Sequence, residues 1–157
     1  MKVFSNTTPF IALASIQQLD LLPTLFVRIH VAEEVIEECA AGGMIMVPPL
    51  RRLAWIVPVT TPMLQAPHIL LELDKGEKAT LLAALADDAD LVLIDEKIGR
   101  NVAEYVGLKV SGTLGVLLKA RKAGLISSFR GAVHEMLAQG IYYNTALIDR
   151  LAVMVGE

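Results

Sequence analysis

The feature that most constrains the fold is a short, unbroken run of aliphatic residues in the middle of the chain. Leu91 to Ile94 is bounded by a carboxylate on each side, Asp90 before it and Asp95 after it. Strands of a parallel sheet are buried on both faces, so they read as continuous apolar runs rather than as alternating patterns. The run therefore predicts a central parallel strand with Asp95 at its carboxyl end.

Strand and helix patterns alternate along the rest of the chain. This alternation predicts an α/β layer fold with a mainly parallel sheet. No linker or internal repeat divides the 157 residues, so we predict a single domain over residues 1–157. The predicted strands are Val3–Ser5, Val27–Val31, Trp55–Val57, Leu91–Ile94 and Leu108–Ser111. The predicted helices are a first one capped by Thr8, a short helix or turn over Leu19–Phe26, and helices over Glu33–Ala40, Lys75–Asp87, Ile98–Val106, Leu114–Ala123, Gly131–Ala138 and Thr145–Val155.

The chain is apolar, with 54% hydrophobic residues, and this raises the question of a membrane span. The longest segment without a charge runs from Leu53 to Leu71 and contains Pro58, Pro62 and Pro67. A spanning helix needs about 20 apolar residues with an intact backbone, which three prolines prevent. We therefore expect no membrane span and no secretory signal. Cys39 is the only cysteine, which fits a reducing cytoplasm.

Candidate site residues follow three of the predicted strands. The crevice outside the carboxyl ends of parallel strands is the usual functional location in such folds, and Asn6, Asp95 and the run Ser111–Thr113 fall there. Asp95 is either a cap for the helix that begins near Lys97, or a metal ligand or acid–base group. Arg100, one helical turn beyond Asp95, is placed to meet a phosphate or to pair with a site carboxylate.

Two glutamates on other helices are further candidates. Glu77 lies in the first turn of a predicted helix, where it either complements the helix dipole or faces a crevice. In the predicted helix Glu33–Ala40, the residues Val35, Ile36 and Cys39 define the apolar side. Glu38 lies at the margin of that side, so its side chain either faces a functional site or is exposed to solvent.

Several of these residues stand in motifs whose order is similar to that of a known family. The motifs are Ser5–Ile11, Glu38, Gly76–Glu77, Leu93–Glu96 and Gly107–Leu118. Together they resemble PIN-domain proteins over nearly the whole chain. The run Gly107–Leu118 is especially similar to one prokaryotic PIN-like subfamily of unassigned function.

The resemblance implies a three-layer α/β/α domain related to VapC-type toxins, which are endoribonucleases dependent on Mg²⁺ or Mn²⁺. It implies RNA as substrate and a small antitoxin protein as partner. By the same resemblance, the catalytic residues are Glu38, Glu77 and Asp95, with Glu37 as the alternative to Glu38. It also implies Asn6, Glu77 and Asp95 as metal ligands, and Thr7 and Thr113 match hydroxyl positions beside that site. With Arg100, placed above by its position after Asp95, the expected binding residues are Asn6, Thr7, Arg100 and Thr113.

The sequence departs from the family at the first acidic position. PIN nucleases generally have aspartate there, and this chain has Asn6, which offers a carbonyl oxygen but no charge. A catalytically weak or inactive PIN-like module that binds a partner protein or RNA therefore stands as the alternative function.

A partner surface is expected in the proline-broken segment. Met44, Met46, Trp55 and Met63 are candidate apolar surface residues there, so we expect a homodimer.

Overall fold

A computed structural model of the protein describes residues 1–62 and 66–157. Within these residues five strands form one sheet in the order β3-β2-β1-β4-β5, and every neighbouring pair is parallel. The α/β fold class and the parallel sheet are therefore confirmed. The strands are β1 (Val3–Ser5), β2 (Ile29–Ala32), β3 (Ile56–Val59), β4 (Leu91–Leu93) and β5 (Val110–Ser111).

Helices cover both faces of the sheet because successive strand residues point to opposite sides. Val3 and Leu93 belong to one apolar cluster, whereas Phe4 and Val92 belong to a second cluster. The resulting three layers confirm the predicted α/β/α arrangement. The α-helices are α1 (Thr7–Ser15), α2 (Leu21–Phe26), α3 (Glu33–Ala41), α4 (Lys75–Ala86), α5 (Lys97–Tyr105), α6 (Thr113–Lys122), α7 (Phe129–Ala138) and α8 (Thr145–Val153).

Two local predictions near the amino terminus are wrong. Thr8 does not cap α1, because Asn6 occupies the cap position with an extended backbone and the helix begins at Thr7. The strand predicted from Val27 begins at Ile29, because Val27 has a φ of 69° and its N–H still donates to the Pro23 carbonyl of α2. A residue in that conformation cannot continue into an extended strand.

The apolar segment between α3 and α4 contains β3 and two short 3₁₀ turns, Leu50–Arg52 and His68–Glu72. Met44 and Met46 are fully or largely exposed, whereas Trp55 is half-buried and packs against the core. Met63, the fourth predicted surface residue, lies outside the described residues. No helix in residues 1–62 and 66–157 has the length and apolarity to cross a bilayer.

The last two helices are tied to the rest of the fold through the carboxylate of Glu157. It accepts hydrogen bonds from Phe129 N at 2.7 Å and from Ser128 Oγ at 2.8 Å, at the start of α7. It also pairs with Arg121 of α6 at 3.2 Å. These hydrogen bonds, and that from the Phe129 N–H above all, lower the pKa of Glu157 to about 2. These contacts join the last residue of the sequence to the start of α7 and to α6.

Candidate functional site

Asn6 lies between β1 and α1, at the carboxyl edge of the sheet. Its N–H donates to the Leu93 carbonyl at 3.0 Å, which joins it to β4. The side chain is only 4% exposed, and its Oδ1 has no hydrogen-bond partner among the described residues. An unsatisfied buried acceptor costs about 1–3 kcal/mol. This oxygen is therefore free to accept a hydrogen bond or to contact a cation.

Thr7 and Glu38 join α1 to α3 beside Asn6. The Thr7 hydroxyl donates to Glu38 Oε2 at 2.6 Å. The Glu38 carboxylate also lies against Gly76 in the first turn of α4, where a Cβ would collide with it. Glu37 and Glu38 are both exposed, but no hydrogen bond from the described residues reaches the Glu37 side chain. Of the two glutamates, Glu38 is the one that the fold directs towards α4.

Glu77 is the most buried carboxylate of the site. Asp74 caps α4 by accepting the Glu77 N–H at 2.8 Å, and the Glu77 side chain is 6% exposed and reaches Gly99 in α5. Burial foremost, followed by the charges of Asp74, Glu96 and Glu38, raises the pKa of Glu77 to about 8. Glu77 therefore favours a proton, or a cation in its place, near neutral pH.

Asp95 is half-buried and is held by three donors. Its Oδ1 accepts the Thr113 N–H at 2.6 Å, and its Oδ2 accepts the hydroxyls of Thr113 at 2.7 Å and Tyr143 at 2.8 Å. The interpretation of Asp95 as a cap for α5 is wrong, because the N–H that it accepts begins α6 instead. Glu96 holds the cap position of α5, but its side chain accepts no hydrogen bond there.

Arg100 lies beside Asp95 over a glycine. Its Nη1 donates to the Ile94 carbonyl at 3.2 Å. A Cβ on Gly112 would lie 2.7 Å from Asp95 Oδ1 and 2.8 Å from Arg100 Nη1, so only glycine lets both side chains approach. In the described part of the chain, Arg100 forms no ion pair with a carboxylate. Its charge therefore remains available to a ligand.

The fold brings the predicted residues to one side of the molecule in two groups. Thr7, Glu38 and Glu77 form one group between α1, α3 and α4. Asp95, Arg100 and Thr113 form the other, between β4 and α6. Within residues 1–62 and 66–157, no three Asp, Glu, His or Cys side chains are gathered around a single metal position.

Sequence reasoning missed two residues of this site. Asp74 could have been found, because an aspartate three residues before a glutamate at a helix start is a capping pattern. Tyr143 could not, because it is 48 residues from Asp95 and lies in a loop without a local pattern. Burial and the negative charge of Asp95 raise the pKa of Tyr143, so its hydroxyl stays a donor.

Comparison with protein families places this arrangement in a known class. A family model described as a PIN domain matches residues 2–157. The chain therefore belongs to the PIN-domain family, which confirms the resemblance and identifies the chain as a nuclease-type module. Neither a search of curated proteins nor a search of solved structures gave a significant match.

We predict that Tyr143→Phe lowers the free energy of unfolding by about 1 kcal/mol, because Asp95 loses one of three donors and keeps the other two. Tyr142→Phe is the matched control: Tyr142 is 74% exposed, and its hydroxyl makes no hydrogen bond within the described residues. Urea denaturation measures both. Equal effects of the two substitutions would show that the hydrogen bond from Tyr143 to Asp95 does not contribute to stability.

We also predict a pH dependence of stability that depends on Glu77. The unfolded carboxyl loses its proton near pH 4.5, whereas the folded one keeps it to about pH 8. The folded state then binds more protons in this window, so stability falls as pH rises from 4.5 to 8. Glu77→Gln should remove a fall on the order of 2 kcal/mol.

Thermal or urea unfolding at several pH values, with EDTA present, provides the measurement. Glu104→Gln, on an exposed position of α5, is the control and should keep the wild-type slope. If Glu77→Gln and the wild type lose stability in parallel as pH rises, Glu77 is not the responsible group.

Proposed function

We propose that this PIN-domain protein is a metal-dependent endoribonuclease and the toxin component of a toxin–antitoxin pair. The observation that carries the proposal is the buried, unpartnered Oδ1 of Asn6 at the sheet edge shared with Asp95. Such an oxygen is suited to contact a cation that the neighbouring carboxylates attract. The raised pKa of Glu77 supports the same conclusion, since clustered carboxylates there lack a compensating charge.

The donor set fits a hard divalent cation. Mg²⁺ takes oxygen ligands and usually keeps several waters, so one or two carboxylates and a carbonyl are enough. We propose that Asn6, Glu77 and Asp95 would hold Mg²⁺ or Mn²⁺. This set consists of two carboxylates and one amide, so it does not need three acidic side chains around the ion. The bound ion would supply water activation and offset negative charge on the phosphate.

The remaining residues would orient the ligands and the substrate. Thr7 holds Glu38 by its hydroxyl, which would keep that carboxylate in place as a base. Thr113 and Tyr143 fix the Asp95 carboxylate and leave it little rotational freedom. Arg100 would bind a phosphate oxygen of RNA, because its guanidinium has no carboxylate partner among the described residues.

A second candidate function is a PIN module that binds RNA or a protein without cutting. Asn6 favours it, because an amide brings no charge to the position that is acidic in PIN nucleases. Without that charge the affinity for a divalent ion is lower. The two candidates share the fold and the site, and they differ in whether the wild-type protein hydrolyses a phosphodiester bond.

The partners follow from the toxin proposal and from the surface. A small antitoxin protein would bind the chain, and both would act in the cytoplasm. Met44 and Met46 are exposed apolar residues beyond the end of α3, and we propose them as part of a homodimer surface.

The test is cleavage of a labelled single-stranded RNA with Mn²⁺ or Mg²⁺. We expect the wild type to cut and EDTA to stop it. Asp95→Asn and Glu77→Gln should each lower the rate by about 100-fold or more, since a metal ligand is lost with little change of shape. Glu104→Gln, exposed on α5, should cut as the wild type does.

Equal cleavage by the wild type, Asp95→Asn and Glu77→Gln would contradict the nuclease proposal. An inert wild type that becomes active with Asn6→Asp would favour the non-cutting module instead. The Asn6→Asp variant therefore separates a missing charge from a missing site.

A further inference from the structure

A cavity of about 540 Å³ opens beside Asp95, and most of the residues that line it are not acidic. Its volume is within the range of about 300–1,000 Å³ that is usual for small-molecule sites. The strand β5 and the first turns of α5, α6 and α8 surround it. The lining residues that matter here are Asp95, Lys97, Arg100, Gly112, Tyr142 and Asn144.

Two cations, Lys97 and Arg100, and one carboxylate, Asp95, line the cavity. Lys97 is exposed and Arg100 is half-buried, and neither forms an ion pair within residues 1–62 and 66–157. The helices α5, α6 and α8 all begin at the cavity, so their dipoles add partial positive charge, although the first N–H of α6 is already bonded to Asp95. The two cations and the helix starts outweigh the single carboxylate, so the cavity favours an anion, although the whole chain has a net charge of −3.

An exposed aromatic ring borders the same cavity. Tyr142 is 74% exposed, so the face of its ring is accessible at the cavity. The residues on either side of it are fixed, since Tyr143 donates to Asp95 at 2.8 Å and Asn144 caps α8 by accepting the Leu147 N–H at 3.0 Å. Tyr142 is thus held at the cavity by a loop that is anchored at both neighbours.

We propose that this cavity binds one nucleotide of a single-stranded RNA, with its base stacked on Tyr142 and its phosphate bound by Lys97 and Arg100. Bases stack on aromatic side chains in single-strand sites, and cations follow the backbone. In a duplex the bases are already stacked and do not reach a tyrosine. The proposal rests on the proposed function, because it places the substrate next to Asp95.

The test measures binding separately from cleavage. A short dye-labelled oligouridylate is titrated with the protein in EDTA and, separately, in Ca²⁺, and anisotropy gives the dissociation constant. Tyr142→Ala should weaken binding by about 5- to 100-fold, whereas Tyr142→Phe, which keeps the ring, should stay within about 2-fold. Tyr105→Ala is the matched control, because Tyr105 is 78% exposed and is not part of the cavity.

Salt dependence tests the phosphate contact. Lys97→Gln should reduce the slope of log K against log salt by about 0.7, which is the value for one phosphate contact on a single strand. Lys122→Gln, at the opposite end of α6, should leave the slope unchanged.

The outcomes distinguish this proposal from the proposed function. Binding that depends on Tyr142 without any cleavage supports the nucleotide site, even though the nuclease proposal fails. Cleavage with wild-type binding by Tyr142→Ala overturns the nucleotide site and leaves the nuclease intact. Absence of RNA binding in both EDTA and Ca²⁺ also overturns the nucleotide site. Equal affinity for a duplex of the same sequence would overturn it as well.

Discussion

The parallel pairing of β1 with β4 is the constraint on which the rest of the structure depends. Ser5 is paired with Leu93, so Asn6 and Asp95 leave the sheet at the same edge. The same register sends Val3 and Leu93 to one face, where α1 and α6 cover them. The other face is covered by α4 and α5, whose first turns bring Glu77 and Arg100 to that edge. Core packing and the position of the site therefore have one cause.

The two halves of the site differ in how their charge is balanced. Asp95 accepts hydrogen bonds from Thr113 and Tyr143, so its negative charge is stabilised and its orientation is fixed. Glu77 is buried among carboxylates, and its pKa is raised to about 8. Near neutral pH Glu77 is therefore poised to take a proton or a cation, whereas Asp95 is held in one orientation by its hydrogen-bond donors. The unpartnered Asn6 oxygen adds a neutral acceptor at the same edge.

The layer order and most elements could be predicted because they depend on local periodicity. The aliphatic run at Leu91 is the strand β4, and the family motifs lie on the elements expected for them. The errors at Thr8 and Val27 are local shifts of an element boundary, whereas those at the site arose where a contact from a distant part of the chain decides the outcome. Asp95 caps a helix 18 residues further along, and Tyr143 reaches it across 48 residues. Neither partner can be deduced from sequence spacing, because the packing of the helices on the sheet decides which distant residues come close to Asp95.

The central claim is that the edge of the sheet at Asn6 holds a divalent cation. Its most direct test is a crystal of the protein soaked in Mn²⁺, with diffraction recorded near the manganese absorption edge. We predict an anomalous peak in contact with Asn6 Oδ1 and with the carboxylates of Glu77 and Asp95. No peak at that edge, with Asn6 Oδ1 bonded to a protein donor instead, would contradict it.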